Sequence, residues 1–224
     1  MRMSELSAIT VMPVPTLKFY LRERLLHAGE RTSPNQSQYD RTHVERVRLV
    51  RALLDVGGLS VAKAATVIAA LDNESTPLSS VFGVAQRAVT VPTRLASSAD
   101  GEGATRIADL CERRGWKVYP NNPGLGLAAR VIDSYAELGV DIITDAALDP
   151  YADAADIVAR ADLAAVAAAP TEAEMTTVVA VGTVLGDALF AGLRRIAQEA
   201  ESFRRFPLPE GAPVPGDSIN SEEC

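Results

Sequence analysis

Apolar residues recur three and four positions apart through most of this 224-residue chain, the spacing of one helix face. Leu6 and Ile9 mark a short amphipathic helix over 3–9. Pro13 and Pro15 follow, suited to a helix start and not to an interior. A second helix is predicted over 17–25, with Leu17, Tyr20, Leu21 and Leu25 on one face. Residues 27–38 are polar and rich in turn formers, which predicts a loop or a small β-wing. Asp40 reads as the N-cap of a longer helix to about Val56, with Val44, Val47, Val50, Leu53 and Leu54 inward. Gly57 and Gly58 end it, and Ser60 caps a fourth helix that stops near Leu71.

The polar run 72–77 predicts a linker, followed by a helix from Leu78 that Pro92 ends or kinks. Residues 97–103 form a flexible break, and further helices are expected near 104–115, 124–138, 152–168 and 171–203. Beyond Phe206 four prolines and few apolar residues predict a disordered tail. In the last helix Met175, Val178, Gly182, Leu185, Leu189, Gly192 and Ile196 alternate spacings of 3 and 4, a heptad seam. Asp187 is the only charge in 175–193, and a carboxylate at mid-bilayer costs a few kcal/mol. A core or dimer-interface helix is therefore expected, and no membrane partner. The fold class is mainly all-α, divided into a head over 1–71, a coupling segment over 72–100, a helical domain over 101–206 and the tail 207–224.

Composition changes this picture at one point, the charge. The net of −7 argues against nucleic acid until it is divided. Residues 1–63 hold ten Lys/Arg against six Asp/Glu, a net of +4, and residues 64–224 hold twelve against twenty-three, a net of −11. A basic head on an acidic body suits a DNA reader with a second domain. Cys111 and Cys224 form no disulfide framework or thiolate metal site, and the N-terminus lacks a signal peptide, so a reducing cytoplasm is expected.

Two helices, a wing and a longer helix can aim one helix start into the major groove while flanking groups hold phosphates. The run from Pro15 through Thr16, Lys18, Phe19, Tyr20 and Arg22 resembles the T-[LI]-[RK]-[YF]-Y-x-R-x-G-L-L signature of the bacterial MerR regulators. The spacing to Arg31-Thr32, to Tyr39-Asp40, to 44–48 and to Gly58-Leu59-Ser60 agrees with it, over roughly residues 3–71. The resemblance implies a dimeric winged helix-turn-helix protein on a promoter, acting with RNA polymerase. It implies phosphate contacts from Lys18, Tyr20 and Arg31, with Thr16 and Phe19 near the DNA. Pro15, Arg22, Thr32, Gln36, Gln38, Tyr39 and Arg46 complete the expected double-stranded DNA surface, although Arg46 equally suits a solvated helix face, and Asn35 lies in the same loop. Val11 and Arg24 stand where the family usually has glycine, so the turn at Val11 must avoid a left-handed residue or accept strain. Gln36 and Ser37 replace a usual aromatic and arginine, which weakens the expected wing anchoring.

The helical second domain resembles a TetR-type effector domain only in the pattern of its last helix. Phe82, Trp116, Tyr119, Tyr135 and Tyr151 are the aromatics able to line a pocket for a small organic effector, although each also suits plain core. His27 and His43 read as ordinary histidines, and no metal or cofactor is expected. The carboxylates Asp141, Asp145, Asp149, Asp153 and Asp156 read as a solvated face, with no nucleophile–base pair beside them, so the chain is not expected to be an enzyme. The function expected is a DNA-binding transcriptional regulator modulated by an organic effector. The alternative is an architectural DNA-binding protein whose second domain only dimerises.

Overall fold

The computed structural model describes residues 1–33, 36–73, 75–90, 101–140 and 142–208. Asn35, Asp141, Pro92, most of the expected 97–103 break and nearly all of the expected tail lie outside the described residues. Within them the chain folds as α1 (Met3–Thr10), α2 (Val14–Arg22), β1 (Glu30–Ser33), β2 (Gln36–Gln38) and α3 (Arg41–Arg51). A π-helical turn (Ala52–Val56) extends α3, and α4 (Val61–Asp72) and α5 (Leu78–Val89) follow. The remainder is α6 (Glu102–Arg114), α7 (Pro123–Glu137), α8 (Asp145–Ala167) and α9 (Glu172–Arg205). The mainly helical class expected from the apolar spacing is what forms.

Local chemistry explains most boundaries. Asp40 accepts hydrogen bonds from the Thr42 and His43 amides, and Ser60 accepts one from Lys63, so both predicted caps close their helices. Pro15 sits in the first turn of α2, where its missing N–H costs nothing, and α2 therefore begins at Val14 and not at Leu17. The π turn was not anticipated. It widens the end of α3 through the bond from Gly57 N–H to the Ala52 carbonyl, 2.9 Å. α8 starts seven residues before the predicted 152, because Thr144 caps it and the helix runs on through Pro150.

β1 and β2 form a two-stranded antiparallel ribbon with Glu30 opposite Gln38 and Arg31 opposite Ser37. Leu6, Leu17, Leu25, Val47, Val50, Leu53, Val67 and Ile68, all nearly inaccessible, build one cluster under α1–α4. Val81 of α5 and Val179, Ala180 and Val184 of α9 join the same cluster, so the head's core is not confined to 1–71. Full burial of each such Leu, Ile or Val is worth about 1.5–3 kcal/mol. A Cβ on Gly57 would stand 2.3 Å from Val184 Cγ1, so α9 reaches the end of the π turn only because that residue is glycine.

A second cluster joins Ile107 and Leu110 of α6, Ala129 and Ile132 of α7 and Ala152 of α8. Here α6 and α7 touch backbone to backbone: a Cβ on Gly103 would lie 2.2 Å from the Ala129 carbonyl oxygen. The Gly103 amide donates to Asp133 Oδ1 at 2.8 Å. α8 spans 23 residues yet buries only Ala152 and Val166, and Ile157 and Leu163 face solvent.

The chain divides into two compact units, Met1–Asp187 and Ala188–Cys224, and α9 runs through the division. In the second unit Leu189, Leu193, Ile196 and Phe206 are each more than half exposed, and Glu201 pairs with Arg204 and Arg205. α9 is long and apolar enough to cross a membrane, with a mean hydropathy of 1.6 over eighteen residues, of which 17% are buried.

Candidate nucleic-acid interface

The head is shaped by a short turn between its first two helices. Val11 takes a left-handed conformation, φ 51° and ψ 42°, while its amide and that of Met12 bond back to α1 carbonyls. For a β-branched residue this costs about 1–2 kcal/mol. Arg24, at the second position where the resemblance calls for glycine, is also left-handed, φ 58°. Strain is accepted at both places, and the geometry that glycine would normally supply is kept.

From that turn α2 places Leu17 and Tyr20 in the core and leaves Lys18 and Arg22 exposed. Pro15 is exposed, and Thr16 and Phe19 are half-buried. The Arg22 guanidinium stands 5.9 Å from the centre of the Phe19 ring. On the ribbon Arg31, Thr32, Gln36 and Gln38 are all exposed, and the Thr32 hydroxyl donates to the Gln36 carbonyl at 3.3 Å. The ribbon base is tight, since a Cβ on Gly29 would lie 2.5 Å from the Gln38 carbonyl. Exposed cations and amides on a helix start and a two-stranded wing are what phosphate oxygens and base edges require.

Three expected contacts turn inward. Tyr20 is 5% exposed, and burial, with Asp55 adding to it, holds its phenol above the usual range while Arg51 opposes. Tyr39 is also in the core, its amide donating to the Met1 carbonyl at 2.8 Å and its carbonyl receiving the N-terminal ammonium at 2.6 Å. Arg46 forks onto both oxygens of Asp72, one at 3.0 Å, and so ties α3 to the end of α4. An aromatic on the apolar face of a helix packs before it can reach outward, and a cation opposite a carboxylate pairs with it.

Two histidines meet beside this surface. His27, just before the wing, packs on His43 of α3 with ring centres 3.9 Å apart and the rings tilted by 41°. Burial lowers the His27 pKa, with His43 and Arg46 adding to the shift and Asp40 and Asp72 opposing it. Hydrogen bonds from Thr42 and His43 hold the Asp40 carboxyl well below the usual carboxylate range. Nothing in the spacing of residues 27, 40 and 43 announces the grouping, because the wing lies between its members.

In the second domain a cleft of about 320 Å³ opens between α6, α7 and α8, lined by Ile107, Leu110, Cys111, Leu125 and Leu148 together with Trp116 and Tyr151. The Trp116 indole N–H donates to Asp156 Oδ1 at 2.9 Å. The other expected pocket aromatics lie elsewhere: Phe82 packs on the head's core, Tyr119 is 78% exposed, and Tyr135 is half-buried outside the lining. The acidic row is not merely solvated. Arg114 reaches Asp149 at 3.5 Å and Asp153 at 2.6 Å, and Arg106 reaches Asp145 at 3.0 Å, strapping α8 to α6.

Residues 1–71 match the family described as MerR HTH family regulatory protein. A crystal structure of a proposed transcriptional regulator from Streptomyces coelicolor A3(2) is similar over 93% of this chain and 99% of that one, at 29% identity and a TM-score of 0.69. No curated protein matches the chain. The exposed α2 and wing residues and these likenesses agree on transcription regulation through DNA as the class of function, and residues 1–71 are a MerR-type helix-turn-helix domain.

Proposed function

We propose that the chain is a sequence-specific regulator that binds promoter DNA as a homodimer in the bacterial cytoplasm, alongside RNA polymerase. The observation that carries the reading is the exposed set Lys18, Arg22, Arg31, Thr32, Gln36 and Gln38 on α2 and the wing of the helix-turn-helix domain. Lys18 and Arg31 hold phosphates, and Pro15, Thr16 and Phe19 lie against the backbone beside them. Tyr20, Tyr39 and Arg46 act indirectly, by shaping the domain that presents the others.

The dimer forms through the apolar face of α9, where Leu189 and Ile196 belong to the heptad seam and are exposed in this chain. A small, largely apolar organic molecule in the cleft by Trp116 and Tyr151 modulates the DNA complex. The cleft's size supports a second reading, dimerisation without an effector, since about 320 Å³ is at the lower end of the roughly 300–1,000 Å³ of ligand sites.

Fluorescence-anisotropy titration of promoter DNA across salt concentrations tests the reading. Lys18→Ala/Arg31→Ala is expected to weaken binding by about 10–100-fold and to reduce the salt slope by about 2, near 0.9 per lost phosphate contact. Weak, sequence-blind binding that the double substitution leaves unchanged would overturn it.

A further inference from the structure

The described residues that line the cleft between α6, α7 and α8 include no charged side chain. Ile107, Leu110, Leu125 and Leu148 make its walls apolar, and two aromatic rings, Trp116 and Tyr151, stand among them. The Trp116 N–H already donates to Asp156 Oδ1 at 2.9 Å, so the indole offers a ligand its ring and not its hydrogen bond. At about 320 Å³ the cleft has twice the room that holds one benzene ring, roughly 150 Å³, which sets the scale of an occupant at two fused rings.

Charges close to these walls along the chain are answered within the protein or by water. Arg114 reaches Asp149 at 3.5 Å, Asp153 at 2.6 Å and Asp156 at 3.7 Å, and Arg113 reaches Asp149 at 3.8 Å. Lys117, next to Trp116, is exposed and lies outside the lining. A charged ligand would give up its water shell and gain no counter-ion from the lining, a loss that apolar walls do not repay. Asn122 adds a hydrogen-bond donor. Its carboxamide oxygen caps α7 by accepting the Gly124 N–H at 2.8 Å, which fixes the amide's orientation. The amide nitrogen has no partner among the described residues and suits an oxygen acceptor on a ligand.

We propose that this cleft takes an uncharged, planar, two-ring aromatic molecule bearing a hydrogen-bond acceptor, with its rings against Trp116 and Tyr151 and its oxygen on the Asn122 amide. The assignment rests on the effector reading above and adds the chemical class of the ligand.

Three planar probes of nearly one shape test the class: 2-acetylnaphthalene, a neutral ketone, 2-naphthoate, an anion, and 2-naphthamidinium, a cation. Isothermal titration calorimetry of the full-length protein is expected to find one site per chain for the ketone, and binding about tenfold weaker or worse for both ions. Ala155→Trp, at an exposed α8 position on the lining, is expected to abolish the ketone site. Asn122→Asp keeps the capping oxygen and removes the donor, so it should weaken the ketone about tenfold and favour the amidinium. Circular dichroism verifies the fold of both variants. A parent that prefers either ion, with the site lost in Ala155→Trp, overturns the class and leaves the cleft an effector site. Ketone binding that Ala155→Trp leaves intact, or no binding by any probe, overturns the class as well. Ketone seated in the cleft while promoter-DNA anisotropy stays unmoved upholds the class and removes the effector role instead.

Discussion

The head and the two long helices, α8 and α9, spend most of their apolar residues in opposite ways. α3 buries four of its eleven residues, three of them valines, while α8 buries two of twenty-three. In the head, Leu6, Leu17, Leu25, Val47, Val50 and Leu53 are inaccessible, whereas Ile157, Leu163, Leu189, Leu193 and Ile196 remain more than half exposed on α8 and α9. Exposed apolar residues repeated on long helices mark an association surface more often than an idle one. The difference teaches that the head's core is closed with help from Val179, Ala180 and Val184 of α9, while the exposed apolar residues of α8 and of the rest of α9 suit the association proposed above.

Breaking the exposed face of α9 should have the largest effect. Leu189→Asp/Ile196→Asp places two carboxylates on the heptad seam, and should raise the dimer dissociation constant about a thousandfold, near 4 kcal/mol, as measured by light scattering. Circular dichroism should still report a folded head. If the double variant stays dimeric, the reading of the exposed apolar residues of α9 as an association surface fails.

Breaking the head is next. Leu53→Ala removes the wholly buried side chain of the π turn, and should lower unfolding free energy by about 2–5 kcal/mol in urea titration while leaving the dimer constant unchanged at low denaturant. Val11→Gly sharpens the picture from the other direction. It relieves a left-handed valine that is 82% exposed, and should stabilise the head by about 1 kcal/mol, since strain is lost and little packing with it.

The smallest effect belongs to Asp187. Burial, with Asp162 adding to it, raises its pKa, so the folded chain holds this proton more tightly than the unfolded one. Its ionisation therefore costs stability as pH rises from the unfolded-state value of about 4 through the raised value, and the cost is constant above that. Asp187→Asn should gain a few tenths of a kcal/mol at neutral pH and nothing at pH 3, by thermal melts at both.

The head was legible because its signals are local. Asp40 and Ser60 cap as their side chains dictate, and the polar stretch 27–38 folds as a wing because it offers no apolar face. Roles that depend on distant neighbours were not legible. Tyr20 and Tyr39 carry hydroxyls suited to phosphates, yet their rings are needed in the core. Arg46 looks like any helix-face cation until Asp72, 26 residues later, lies opposite it. The early start of α8 was hidden by Pro150, and the π turn has no spacing of its own in so short a run. His27 and His43 became a pair only when the wing folded out between them.

Gly57 has a mechanical consequence. It is a notch with room for Val184 and for nothing on its own α-carbon, placed where the π turn gives way to α4. Any side chain placed there would have to push aside both Val184 and the Leu53 carbonyl, so the corner between α3 and α4 and the adjoining stretch of α9 are shaped to each other at that point.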